Sequence, residues 1–147
     1  MFRITALWLD RPVDLGEEIF VWAVTVTGKI FVRQGVSNLC PEGSGWLPIP
    51  IPEKCEVNQI NVGPTGLVWA VTWHGKALVR TGVTRLDPNG TGWSIVEPPE
   101  NNALIHVGVG ENVVWAVTRD KKIWFRNGVR GLGAGESDSL ARGLKWI

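Results

Sequence analysis

The sequence predicts an all-β chain made of three tandem β-propeller blades, each a four-stranded antiparallel sheet. Three observations carry this. Residues 21–36, 68–83 and 114–129 align without gaps, with Trp22, Trp69 and Trp115 spaced by 47 and then 46 residues. A fixed period of ~20–50 residues marks a repeat architecture. The repeated cores are β-branched and aromatic and are broken by Gly, Pro, Asn and Asp, which is strand-and-turn chemistry. No window of useful length shows helical periodicity. Four short strands in each ~40–47-residue unit is the pattern of propeller blades, and stacking blades bury both faces of each sheet.

The second unit shows the elements most clearly. Its first strand is Ile60-Asn61-Val62, its second Val68-Trp69-Ala70-Val71-Thr72 and its third Lys76-Ala77-Leu78-Val79-Arg80. The fourth begins at Trp93-Ser94-Ile95-Val96. The segments before the second strands are Val13-Asp14-Leu15-Gly16, Ile60-Asn61-Val62-Gly63 and Ile105-His106-Val107-Gly108. Thr27-Gly28, His74-Gly75 and Asp120-Lys121 fall where a hairpin turn needs positive φ, which Gly and Asp tolerate. The third turn lacks Gly, so a looser turn is expected there. Pro41-Glu42-Gly43-Ser44-Gly45-Trp46 matches Pro88-Asn89-Gly90-Thr91-Gly92-Trp93, each Trp ten residues after a Gly-Val pair. In the third unit the step from Val129 to Trp146 is 17 residues. The seven extra fall in the Gly- and Ser-rich residues 131–140, expected to form a mobile loop. The blades are therefore placed at 13–50, 59–96 and 104–147, within one partial propeller spanning 1–147. Residues 1–5 are read as the closing strand of a preceding blade.

Composition narrows the function. The 147 residues suit one domain. With 44% hydrophobic and 20% charged residues, the chain has enough apolar content for a core. Lys+Arg of 15 against Asp+Glu of 14 gives a net charge of +1, which argues against nucleic-acid binding through a basic face. No apolar run approaches ~18 residues, so no transmembrane helix is expected. Residues 1–10 hold too short an apolar stretch for a signal peptide. Cys40 and Cys55 make neither a disulfide framework nor a zinc site, and a reducing compartment fits them best. Gly108-Val109-Gly110 and the glycines from Gly131 to Gly135 open no helix and have no Lys at the Walker position, so they are not read as phosphate loops.

The repeated motif is Trp-Ala-Val-Thr, a turn with Gly, an apolar strand, Arg-x-Gly-Val, then Pro-x-Gly-x-x-Trp. It resembles the tectonin repeats, across nearly the whole chain. That family has a branch of secreted lectins and a branch of large cytosolic proteins of autophagy and peroxisome biology. Arg80-Thr81-Gly82-Val83-Thr84 and Pro88-Asn89-Gly90-Thr91-Gly92-Trp93 look more like the cytosolic branch. The resemblance implies a non-enzymatic scaffold in autophagosome–lysosome fusion, membrane trafficking or peroxisome maintenance. It also implies a cytoplasmic location, peripheral on autophagosome, lysosome or peroxisome membranes. The alternatives it leaves are a lectin for glycans or lipopolysaccharide and a purely structural propeller segment.

No catalytic set, cofactor or metal site is expected. His74 and His106, the only histidines, do not recur between units. Trp22, Trp46, Trp69, Trp93, Trp115 and Trp146 lie on the period and are assigned to the blade core, with Trp22, Trp69 and Trp115 mostly buried. Trp73 and Trp124 break the pattern. With His74 and the in-register Lys29, Lys76 and Lys122 they are the candidate ligand or partner contacts, since turns reach solvent. Arg33, Arg80 and Arg126 are expected to pair with neighbours or backbone carbonyls. Trp46-Leu47-Pro48-Ile49 and Trp93-Ser94-Ile95-Val96 have the spacing of a motif for autophagy ubiquitin-like proteins, but a strand fixed in a blade is not free to add to another sheet. Protein partners come first. An anionic lipid or glycan surface comes next, and self-association is a further way to close the ring.

Overall fold

The computed structural model describes residues 2–9, 18–84, 87–130 and 138–147. They form three separate four-stranded antiparallel sheets. The first contains β1 (Phe2–Leu9), β2 (Glu18–Thr25), β3 (Ile30–Gln34) and β4 (Gly45–Ile49) in that order. The second contains β5 (Val57–Val62), β6 (Val68–Thr72), β7 (Ala77–Thr81) and β8 (Gly92–Val96). The third contains β9 (Leu104–Val109), β10 (Val114–Thr118), β11 (Ile123–Asn127) and β12 (Lys145–Trp146). Among the described residues helix is limited to a 3-10 turn, Pro99–Asn101, and α1 (Asp138–Arg142). The architecture is a partial propeller of three blades.

Two seams hold the arc together. Trp22, Val24, Ile30 and Val32 of the first sheet pack on Val57, Ile60, Val62, Val68, Ala70 and Leu78 of the second. Trp69, Val71, Ala77 and Val79 of the second pack on Leu104, Val107, Val114 and Ala116 of the third. Because both faces of the second sheet are covered, all of β6 is buried, Trp69 included at 0% exposure. The strand alternates sides every residue, so a two-sided seam demands an unbroken apolar run. Backbone hydrogen bonds tie the seams as well: Val57 N–H donates to the Gly28 carbonyl at 3.2 Å and Leu104 N–H to the Gly75 carbonyl at 2.9 Å.

The third turn is not looser than the others. Thr118 N–H closes on the Lys122 carbonyl at 3.1 Å, as Thr25 does on Lys29 and Thr72 on Lys76, each at 2.9 Å. The residue in the left-handed region is Lys121, at φ 66°, in the place of Gly28 and Gly75 at 83° and 84°. A Cβ on Gly28 would lie 2.9 Å from the Val57 nitrogen, and one on Gly75 would run into Ala103 of the next blade. No described blade packs against Lys121.

Four expectations are corrected. Phe2–Leu9 is the first strand of the first sheet, paired along β2, and not the closing strand of a preceding blade. The segment 13–16 lies outside the described residues. In the third unit Gly110, and not Gly108, matches Gly63: Gly63 N–H donates to Leu67 and Gly110 N–H to Val113, both at 2.8 Å. The inserted segment is only partly a loop, because residues 138–140 begin α1 while 131–137 lie outside the described residues. Finally, Trp115 is 52% and Trp46 40% exposed, not buried in the core. Each sits on a sheet face that no described blade covers.

Candidate functional site

Each blade carries one Arg–Gly–Trp unit, and it explains most of the repeated motif. Arg33, Arg80 and Arg126 lie directly across the ladder from Trp46, Trp93 and Trp146. Their guanidinium carbons stand 5.2, 4.9 and 5.2 Å from the facing indole centroids, a cation–π distance. Each Nε donates to a backbone carbonyl, of Glu42 at 2.9 Å, Asn89 at 2.7 Å and Arg142 at 2.9 Å. The next residue is Gly43, Gly90 or Gly143, at φ 67°, 67° and 71°. A Cβ there would meet the Gln34, Thr81 or Asn127 carbonyl at 2.5–2.7 Å, so only glycine lets the loop close on the arginine. These arginines are structural. Burial pulls Arg80 below its ordinary value, with Asp87 opposing; burial and then Arg142 lower Arg126.

The fourth-strand tryptophans also close the seams. Trp93 stands edge-on to Trp22 at 6.3 Å and Trp146 edge-on to Trp69 at 6.1 Å. The Trp93 indole N–H donates to the Pro50 carbonyl at 2.8 Å, and that of Trp146 to Glu97 at 3.0 Å. Gln59 clips the second seam: its Oε1 accepts from Val107 N–H at 3.2 Å and its Nε2 donates to His106 Nδ1 at 2.9 Å. His106 is thus engaged between blades.

The predicted contact residues do not all meet. The three hairpin turns are equivalent in their hydrogen bonds, and they present Lys29, Trp73, His74, Lys76 and Lys122 as exposed side chains. Trp73 is 51% exposed at the tip of the second turn. Lys76 pairs with Glu97 at 3.4 Å, and Lys122 with Glu100 at 3.3 Å and Asp120 at 3.6 Å. The Glu100 hydrogen bond and charge raise the Lys122 ammonium above its usual value, and the Thr118 hydroxyl holds the Asp120 carboxyl below its own. Two of the three turn charges are therefore answered by carboxylates. Trp124 is elsewhere: half-buried in β11, it pairs with Ala116 at the position of Phe31 and Leu78, and its indole N–H reaches Thr118 Oγ1 at 3.2 Å.

A feature missed in the sequence is a polar groove of about 290 Å³ between the outer strands of the second and third sheets, lined by Ile95, Glu97, Arg126, Arg142 and Leu144. Arg142, the last residue of α1, holds the place of Glu42 and Asn89 in the other two blades. Among the described residues no cluster of three His, Cys, Asp or Glu side chains is placed to hold a metal, and no helix is long and apolar enough to cross a membrane.

Comparison with known proteins agrees with this geometry. The propeller family model Hyd_WA matches residues 20–49, 67–96 and 113–147, once per blade. A tectonin beta-propeller repeat-containing protein of Drosophila melanogaster is 58% identical over 130 residues, covering 86% of this chain and 10% of that protein. Tectonin beta-propeller repeat-containing protein 1 of Mus musculus is 59% identical over 121 residues, covering 82% and 10%. The chain thus spans about a tenth of the length of these relatives. The crystal structure of human WBSCR16 shares the fold, with a TM-score of 0.54 at 11% identity, over 82% of this chain and 34% of that one. By its three blades and these matches, the chain belongs to the family of tectonin β-propeller repeat-containing proteins.

Proposed function

We propose that the chain is a non-catalytic propeller module that recognises protein partners through its blade turns, as a scaffold in autophagosome–lysosome fusion, membrane trafficking or peroxisome maintenance. It would act in the cytoplasm, peripherally on those membranes. The observation that carries the reading is the Trp73-His74 tip. A half-exposed indole at a turn offers flat apolar area with a polar handle, the side chain most enriched at protein contacts. The pairing of Lys76 with Glu97 and of Lys122 with Glu100 and Asp120 favours a protein over an acidic membrane, because paired charges attract lipid head groups weakly. Trp73 also favours a second reading, a lectin in which the indole stacks on a sugar ring.

Proximity labelling in cells tests the first reading, with the parent chain and Trp73→Ala/His74→Ala. The expected result is loss of a defined set of autophagosomal, lysosomal or peroxisomal neighbours from the variant. Identical neighbour sets overturn it. Retention of the parent on immobilised glycans, abolished by Trp73→Ala, would establish the lectin reading instead.

A further inference from the structure

The second and third blades differ in charge around their Arg–Gly–Trp units. Arg80 donates to the Asn89 carbonyl, and the charge that acts on it is the opposite one of Asp87. Arg126 donates to the Arg142 carbonyl, and the charge that acts on it is the like one of Arg142. A second cation thus stands where the second blade has the neutral Asn89. Arg126 is only 8% exposed, so water screens the pair poorly. Among the described residues no carboxylate pairs with either arginine. Glu97 lines the same groove but is held by Lys76 at 3.4 Å.

Both arginines line the groove of about 290 Å³ between β8 and the residues leading into β12. Arg142 crosses the seam, its Nη1 donating to Ser94 Oγ of β8 at 3.3 Å. Two walls are apolar and open, Ile95 at 45% and Leu144 at 75% exposure. The groove belongs to this pair of blades. Arg126 and Trp146 are ladder partners, and Trp146 packs on Trp69, so both lie on the face turned to the second sheet. A further blade would pack on the opposite face, that of Trp115, and leave the groove as it is.

Two neighbouring guanidiniums without a carboxylate call for a ligand of two negative charges. A phosphate monoester carries about −1.5 to −2 at neutral pH and presents three acceptor oxygens to a guanidinium fork, whereas a carboxylate brings a single charge. We infer that the groove binds the phosphate of a phosphorylated side chain of a partner protein, between Arg126 and Arg142. The partner's apolar flanking residues cover Ile95 and Leu144, which a lone anion would leave wet. Arg126 keeps its Nε on the Arg142 carbonyl and its flat face on Trp146, and adds fixed charge. Arg142 supplies the exposed fork. The site shares no residue with the Trp73 turn and goes beyond the role proposed for that turn.

Fluorescence anisotropy of labelled peptide pools tests it on the 147-residue chain. The pools have a phosphoserine, phosphothreonine or phosphotyrosine centre and randomised flanks. At least one is expected to bind tenfold or more tightly than its unphosphorylated counterpart. Arg142→Gln should lose at least tenfold of that affinity with unchanged circular dichroism, because its side chain is exposed and its carbonyl still holds Arg126. Lys54→Gln removes the same charge from an exposed residue between the first and second blades, and it should bind like the parent. No phosphate dependence in any pool, an Arg142→Gln chain that binds like the parent, or a Lys54→Gln chain weakened as much as Arg142→Gln, overturns the inference. Displacement of the peptides by inorganic phosphate at equal concentration overturns it in favour of a free-phosphate site. Binding of the parent to phosphoinositide vesicles but to no phosphorylated pool, lost in Arg142→Gln, overturns it in favour of a membrane contact.

Discussion

Trp22, Trp69 and Trp115 occupy one position of the repeat, yet their exposures are 1%, 0% and 52%. The difference is the presence of a following blade, so their energetic roles differ too. Trp22→Ala and Trp69→Ala should each cost ~3–5 kcal/mol, the range for truncating a large buried aromatic, whereas Trp115→Ala should cost less than ~1 kcal/mol in dilute solution. Urea denaturation of the three variants checks this. Lys121 makes a second residue-scale test. A side chain held at φ 66° stores roughly 1 kcal/mol that glycine would release. Lys121→Gly should raise the unfolding free energy, read by urea denaturation, by about 1 kcal/mol. Asp120 gives a third. The Thr118 hydroxyl lowers its carboxyl pKa in the folded chain, so its contribution is present above the ordinary carboxylate value and is lost as pH falls through the folded one. Asp120→Asn should therefore lower the melting temperature at neutral pH, and the gap to the parent should close in strong acid.

At the scale of elements, the repeat made the second and third strands legible, because each keeps a fixed offset from its Trp, and the fourth strands legible through their own Trp, although the third unit reaches it seven residues later. First strands were harder to read. The connection from Gly63 to Leu67 is one residue longer than that from Gly110 to Val113, and Ile105-His106-Val107-Gly108 imitates Ile60-Asn61-Val62-Gly63 two residues out of register. Trp124 looked aberrant because Trp does not recur there, although an apolar residue does, in Phe31 and Leu78. The contacts around Arg142 were harder to read because the seven-residue insertion breaks the count forward from Val129, and only the count back from Trp146 aligns Arg142 with Glu42 and Asn89. Yet α1 returns the chain in register. Arg142, Gly143 and Leu144 repeat the hydrogen bonds and φ of Glu42, Gly43 and Ser44. Deleting residues 131–137 restores the ten-residue step to Trp146, and it should leave the denaturant m-value and the β circular-dichroism spectrum unchanged. A lower m-value would mean that the segment packs on the blades.

At the scale of the molecule, stability in a repeat array is the sum of each blade's own stability and the seams between neighbours. The three described blades supply two seams, and Trp115 carries seam chemistry on a face of the third sheet that no described blade covers. Blade contact, and nothing intrinsic to the repeat, decides whether its Trp is buried. Hydroxyl-radical footprinting with mass spectrometry, on dilute monomeric protein, measures this most directly. Trp115 and Trp73 should oxidise fast, with Trp22 and Trp69 strongly protected. Protection of Trp115 equal to that of Trp69, or oxidation of Trp22 as fast as that of Trp115, would contradict the account.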